Sequence, residues 1–176
     1  MRGLEKNNRG YSLVELIIVV AIIAVVVMGA TWSVSLIFSA NSRACSDDIV
    51  SALSECKIMT MTKGQGNVRV IIYRDGADGA IYSELQTRET PTDDFETGSN
   101  GREKIGAKRC SVGTTKTSDD IPTSRDTAWE FYFDRSTGKL MDTTTVSSIH
   151  VFGGRKHFLI EIAPLTGKIT KTYVND

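Results

Sequence analysis

The chain has 176 residues, enough for one modest domain and one long apolar segment. Its 21 basic and 21 acidic residues cancel, which argues against bulk electrostatic binding to nucleic acid, where a basic excess is the rule. Three cysteines are too few for a disulfide framework, and the apolar residues are placed unevenly, with residues 13–38 almost wholly apolar and 86–126 dominated by Thr, Asp, Gly, Ser and Lys.

The chain opens on a short polar leader, MRGLEKNNRG, in which Arg2, Lys6 and Arg9 outnumber Glu5. From Leu16 to Ala30 no side chain is charged or polar. Continuing to Phe38 gives about 23 residues, where about 20 suffice to cross a bilayer as a helix. The basic leader predicts a cytoplasmic N-terminus. A secretory signal has a shorter apolar region followed by a small-residue cleavage site. Here the apolar run passes straight into an amphipathic segment and is expected to stay attached. Glu15 is out of place, because a carboxylate within an apolar run is costly when deep and charged. Either it reaches water at the membrane edge or it has a partner, such as the N-terminal amine of a neighbouring subunit.

Arg9-Gly10-Tyr11-Ser12-Leu13-Val14-Glu15, followed by the apolar run, closely resembles the prepilin cleavage motif of type IV pilins and pseudopilins. The resemblance covers residues 1 to about 40 firmly and the remainder in architecture only. It implies that prepilin peptidase cuts between Gly10 and Tyr11 on the cytoplasmic side and N-methylates Tyr11. Glu15 then becomes the fifth mature residue, an assembly residue that neutralises the Tyr11 amine of an adjacent subunit; such a matched pair gives axial register. The implied partners are the peptidase, other pilin or pseudopilin subunits, an inner-membrane assembly platform with its ATPase, and lipid before assembly. Major pilins usually carry proline where this chain has Trp32, which favours a minor pilin or pseudopilin.

Beyond Phe38, Cys45, Ile49, Ala52, Leu53, Cys56 and Met59 recur at helical spacing, and Lys63-Gly64 supplies a stop. One helix from Tyr11 to Lys63 would be roughly 80 Å long. Cys45 and Cys56, roughly 16 Å apart on it, are beyond disulfide reach. Either one pairs with Cys110 in an oxidising compartment, or all three are reduced core residues.

After Gly64 the period changes to two. Val68–Tyr73 and Ala80–Leu85 read as a hairpin around Asp75–Gly79. Residues 87–104 and 113–126 read as loops, with a weak strand over Ile105–Val112 between them. Ala128–Phe133, Lys139–Asp142, Ser148–Phe152, His157–Ala163 and Lys168–Val174 read as further strands. Ser136–Leu140 and Leu165–Ile169 are alike, which points to repeated hairpin chemistry. The expected organisation is a leader over 1–10, a transmembrane or filament-core helix over 11–38, the amphipathic half of that helix over 39–63, and a β-rich head over 64–176. The expected fold class is α+β and pilin-like, a long N-terminal helix packed on an antiparallel sheet, with the N-terminus cytoplasmic, the head outside, and later a place in an extracytoplasmic filament.

No residues group into a catalytic constellation, and no cofactor or metal is expected. Asp75 and Asp78 lack the ligand spacing of a full calcium loop and read as turn residues. His150 and His157 flank a turn without a third ligand. Arg102, Lys104, Lys108 and Arg109 are basic but diluted by neighbouring carboxylates, so nucleic acid is possible as a partner without being indicated. The expected role is structural, in secretion, DNA uptake, adhesion or motility. The alternative is a tip subunit whose 87–104 and 113–126 loops bind substrate, DNA or a surface; a signal-anchored enzyme fits least.

Overall fold

The computed structural model describes residues 12–63, 66–142, 144, 146–154 and 156–174, with backbone alone at 30–36 and 100. The chain divides into two units between Ser35 and Leu36. Helix α1, Leu13–Lys63, contributes to both.

In the first unit, Ser12 caps α1. Its Oγ accepts the Glu15 N–H at 3.1 Å and its carbonyl accepts the Leu16 N–H at 3.2 Å, so two donors at the helix start are satisfied. Along the following turns Leu13, Val14, Ile17, Ile18, Ile22, Val25 and Met28 are each about half exposed or more. Among the described residues no helix is long and apolar enough to cross a membrane. The apolar sequence continues into 30–36, whose side chains lie outside the described residues, so the structure does not show the span expected over 11–38.

In the second unit one face of α1 is buried. Cys45, Ile49, Leu53 and Cys56 are at most 1% exposed, and Ser42, Ser46 and Thr60 continue the same stripe. The hydroxyls return to their own helix: Ser42 Oγ donates to the Ser39 carbonyl at 3.1 Å, Ser46 Oγ to Arg43 at 2.7 Å and Thr60 Oγ1 to Cys56 at 2.8 Å. Small residues are needed here because backbone approaches the helix closely. A Cβ added to Gly153 would lie 2.5 Å from the Phe38 carbonyl and 2.6 Å from Ser42 Cβ.

Among the described residues, eight strands form two antiparallel four-stranded sheets. The first has the order β3-β2-β1-β5, with β1 Val68–Arg74, β2 Ile81–Thr87, β3 Glu96–Gly106 and β5 Trp129–Phe131. The second has the order β4-β6-β7-β8, with β4 Ser111–Gly113, β6 Ser148–Gly153, β7 Lys156–Ile162 and β8 Ile169–Val174. One continuous core joins the helix face to both sheets, through Val70, Ile72, Ile81 and Phe131 from the first and Val112, Ile149, Val151 and Ile160 from the second.

Three sequence expectations are corrected. The segment 87–104 is a loop only in its first part: β3 begins at Glu96 and pairs with β2, with register shifts that accommodate its irregular backbone. It is an edge strand with mostly exposed side chains, so backbone pairing holds it and no apolar alternation marks it. The strand expected over Ile105–Val112 is instead the end of β3, a turn in which the Cys110 N–H donates to the Ala107 carbonyl at 2.9 Å, and the short β4. In β1 the alternation fails, because Ile71 and Tyr73 are buried alongside Val70 and Ile72. The 3-10 turn Arg125–Thr127 packs against β1, and Arg125 reaches Glu84 of β2.

The two like segments do form like loops. In Asp134–Lys139 the Gly138 N–H donates to Asp134 O at 2.8 Å and the Asp134 N–H to Lys139 O at 2.8 Å. In Ala163–Lys168 the equivalent bonds are 2.7 Å and 2.9 Å. Gly138 and Gly167 take φ of 65° and 58°, a conformation costly for other residues. The loops also touch: a Cβ on Gly167 would run into the Gly138 carbonyl. Lys57 of α1 donates to the Thr166 and Gly167 carbonyls at 3.2 and 2.9 Å, which ties both loops to the helix.

Candidate functional site

The candidate site is the start of α1. Gly10 and Tyr11, the expected cleavage and methylation residues, lie outside the described residues. Glu15 is in the first helical turn and exposed. Its backbone N–H is held by Ser12, so the Ser-x-x-Glu spacing works as a helix start. The helix dipole favours a carboxylate in that turn. The bulky apolar side chains that follow are exposed throughout, a surface that water disfavours and that lipid or neighbouring helices would cover.

A family profile, the prokaryotic N-terminal methylation motif, matches residues 6–31. The chain carries at its N-terminal end a motif of the kind found in type IV pilin-type prepilins. The matched residues contain Gly10, Tyr11 and Glu15 and run into the exposed apolar part of α1. No curated protein and no solved structure matches the chain.

In the head, the other sequence candidates take structural roles. Asp75 Oδ1 accepts the Ala77 N–H at 2.8 Å and Asp78 Oδ1 the Ala80 N–H at 2.8 Å. Asp75 also pairs with Arg102, and Asp78 accepts from Tyr82 Oη at 2.7 Å. These bonds hold both carboxyls below the usual carboxylate range. Among the described residues no group of three or more His, Cys, Asp or Glu is placed to hold a metal. Arg102 lies over the Tyr82 ring at 3.4 Å and Arg109 over Phe38 at 5.4 Å.

His150 and His157 do come together. His157 lies opposite Phe152 in the β6–β7 register, and His150 lies diagonally across on the same face. His150 Nδ1 and His157 Nε2 are 2.8 Å apart, and the His157 ring stacks on Phe152 at 4.3 Å. Burial, then the neighbouring His157, lowers the His150 pKa.

Two polar hubs had no sequence signal. Glu84, 3% exposed, accepts from Tyr73 Oη at 2.6 Å, from Arg125 at 2.7 and 3.0 Å, from Thr97 at 3.2 Å and from Gln86 at 3.3 Å. Arg74 donates to the carbonyls of Gly79, Lys108 and Cys110 and pairs with Asp119 at 2.8 Å. Both hubs join residues far apart in sequence, which no local spacing announces.

Proposed function

We propose that the chain is a structural subunit, a minor pilin or pseudopilin, of a type IV pilus-like filament. The observation that carries this reading is the methylation motif over residues 6–31, running into a helix whose apolar side chains are uncovered. Prepilin peptidase cuts between Gly10 and Tyr11, removing the leader over 1–10, and methylates the Tyr11 amine. Residues 11–38 cross the cytoplasmic membrane with the N-terminus inside, then enter the filament core; 39–63 back the head, 64–176, outside. In the core Glu15 neutralises the Tyr11 amine of a neighbouring subunit, since an unpaired buried charge is costly. The pilus, secretion and competence systems are all served by such a subunit, with its assembly platform and ATPase.

Trp32, where major pilins usually carry proline, favours the minor or pseudopilin form. The tip-adhesin alternative loses ground, because much of its first loop is strand β3, paired to β2. Gly10→Ala tests the reading. The variant should remain in the membrane at precursor mass, and normal processing of it would overturn the proposed site.

A further inference from the structure

Two thiols from distant elements meet in the core of the head. Cys45 lies on the buried face of α1, and Cys110 closes the turn between β3 and β4, about 65 positions further along the chain. They are 1% and 2% exposed, belong to one buried core cluster, and lie close enough that each thiol shifts the pKa of the other. The local sequence makes this approach possible. Gly106 carries the turn against the helix, where an added Cβ would lie 3.0 Å from Cys45 Sγ and 2.9 Å from Ile81 Cδ1. Cys110 is held from the other side by its Sγ contact to the Phe152 carbonyl at 3.6 Å and by Arg74, which donates to the Cys110 carbonyl at 3.0 Å. Cys56 is engaged elsewhere, with its Sγ 3.7 Å from the Phe131 carbonyl on the first sheet. Of the two partners open to Cys110 by sequence, Cys45 is the one on the helix face against which the Cys110 turn packs.

We propose that Cys45 and Cys110 are a disulfide site that staples α1 to the β3–β4 turn, closed by a disulfide-bearing oxidant as the head folds outside the cytoplasm. This rests on the placement of the head given under the proposed function, since structural disulfides persist in oxidising compartments. Arg74 lies beside Cys110 and its charge favours the thiolate there. Cys110 thiolate attacks one sulfur of the oxidant, the oxidant's S–S bond breaks, and one thiolate leaves. Cys45 then gives up its proton to solvent and attacks Cys110 Sγ; the Cys45–Cys110 bond forms and the second thiolate leaves. The protein loses two electrons and two protons, and the oxidant is reduced to two thiols. Once the core closes, both sulfurs are shielded from reductant.

The test uses the full chain in detergent, in two arms. In the first, denatured and reduced chain is refolded in a glutathione buffer poised as an oxidising compartment, alkylated after acid quench, digested and mapped by mass spectrometry. The expected result is a peptide pair linked through Cys45 and Cys110, with Cys56 alkylated. Cys56→Ser should retain that link. Free thiols at 45 and 110, or a dominant link through Cys56, would overturn the pairing whatever happens at the N-terminus. In the second arm the same mapping is applied to chain from its native membrane, with the N-terminus read in the same digest. A chain that starts at Tyr11 and carries the link supports the proposal. A chain that starts at Tyr11 with both thiols free overturns the staple. A chain that starts at Met1 counts against the processing reading, and the first arm still decides the pairing.

Discussion

Glu84 shows how a single buried charge organises one side of the head. Burial by itself would raise its pKa. The hydrogen bonds from Tyr73 and Arg125 outweigh that and hold the carboxyl below its ordinary value. The same contact, with burial as the larger cause, pushes the Tyr73 hydroxyl up to about 12, so Tyr73 stays a donor at neutral pH. Removing the carboxylate leaves Tyr73 and Arg125 without their acceptor. Glu84→Ala should therefore cost about 2–4 kcal/mol in urea unfolding. His150 makes the head sensitive to mild acid. Its folded pKa is lowered, so its contribution is present above the unfolded value of 6.5 and is lost as pH falls through the folded one. Lys116 and His157 disfavour its charge, and Glu161 favours it less strongly. The unfolding midpoint should fall as pH drops below 6.5, and His150→Phe should flatten that dependence; an unchanged slope in the variant would remove the pair as its source. At Gly167 both φ and space exclude a side chain. Gly167→Ala should cost at least about 2 kcal/mol, from the left-handed backbone and the displaced loop contact together.

At the scale of elements, the second part of α1 is the organiser. Leu53 is fully buried between the sheets, whereas Ile58 on the same helix is 63% exposed. Leu53→Ala should destabilise the chain by about 2–5 kcal/mol, and Ile58→Ala should change stability by less than about 0.5 kcal/mol. Equal effects in thermal unfolding would mean that the helix face is wrongly assigned. This face was legible in the sequence because its apolar residues keep helical spacing, although the buried Ser42, Ser46 and Thr60 look polar and were not counted in it. The first hairpin and the final three strands were legible from their turn residues and alternation. Strand β3 was not, since an exposed edge strand lacks the apolar pattern that marks a half-buried one. The Cys45–Cys110 contact was half legible: helical spacing excluded Cys45 with Cys56, but only the folded turn at Gly106 selects Cys45 over Cys56 as the neighbour of Cys110.

At the scale of the whole molecule, the N-terminal methylation motif was legible, because it is spelled by residue order and needs no folded context. The two units answer to different surroundings. The head, with its continuous core, is covered by its own strands and helix. The first part of α1 leaves its apolar side chains uncovered, which fits a segment kept first in lipid and then among other helices. Glu15 belongs to this scale: it is exposed, with its backbone N–H bound by the Ser12 hydroxyl, and under the proposed function its carboxylate pairs with another subunit. Glu15→Ala should be processed normally and enter filaments poorly; wild-type incorporation would contradict the charge pair.

Intact-mass measurement with N-terminal sequencing of the chain from its native membrane decides whether residues 6–31 are read by the prepilin pathway. The chain should begin at Tyr11 and be heavier by one methyl group. A chain that still begins at Met1, in cells with an active prepilin peptidase, would contradict this reading.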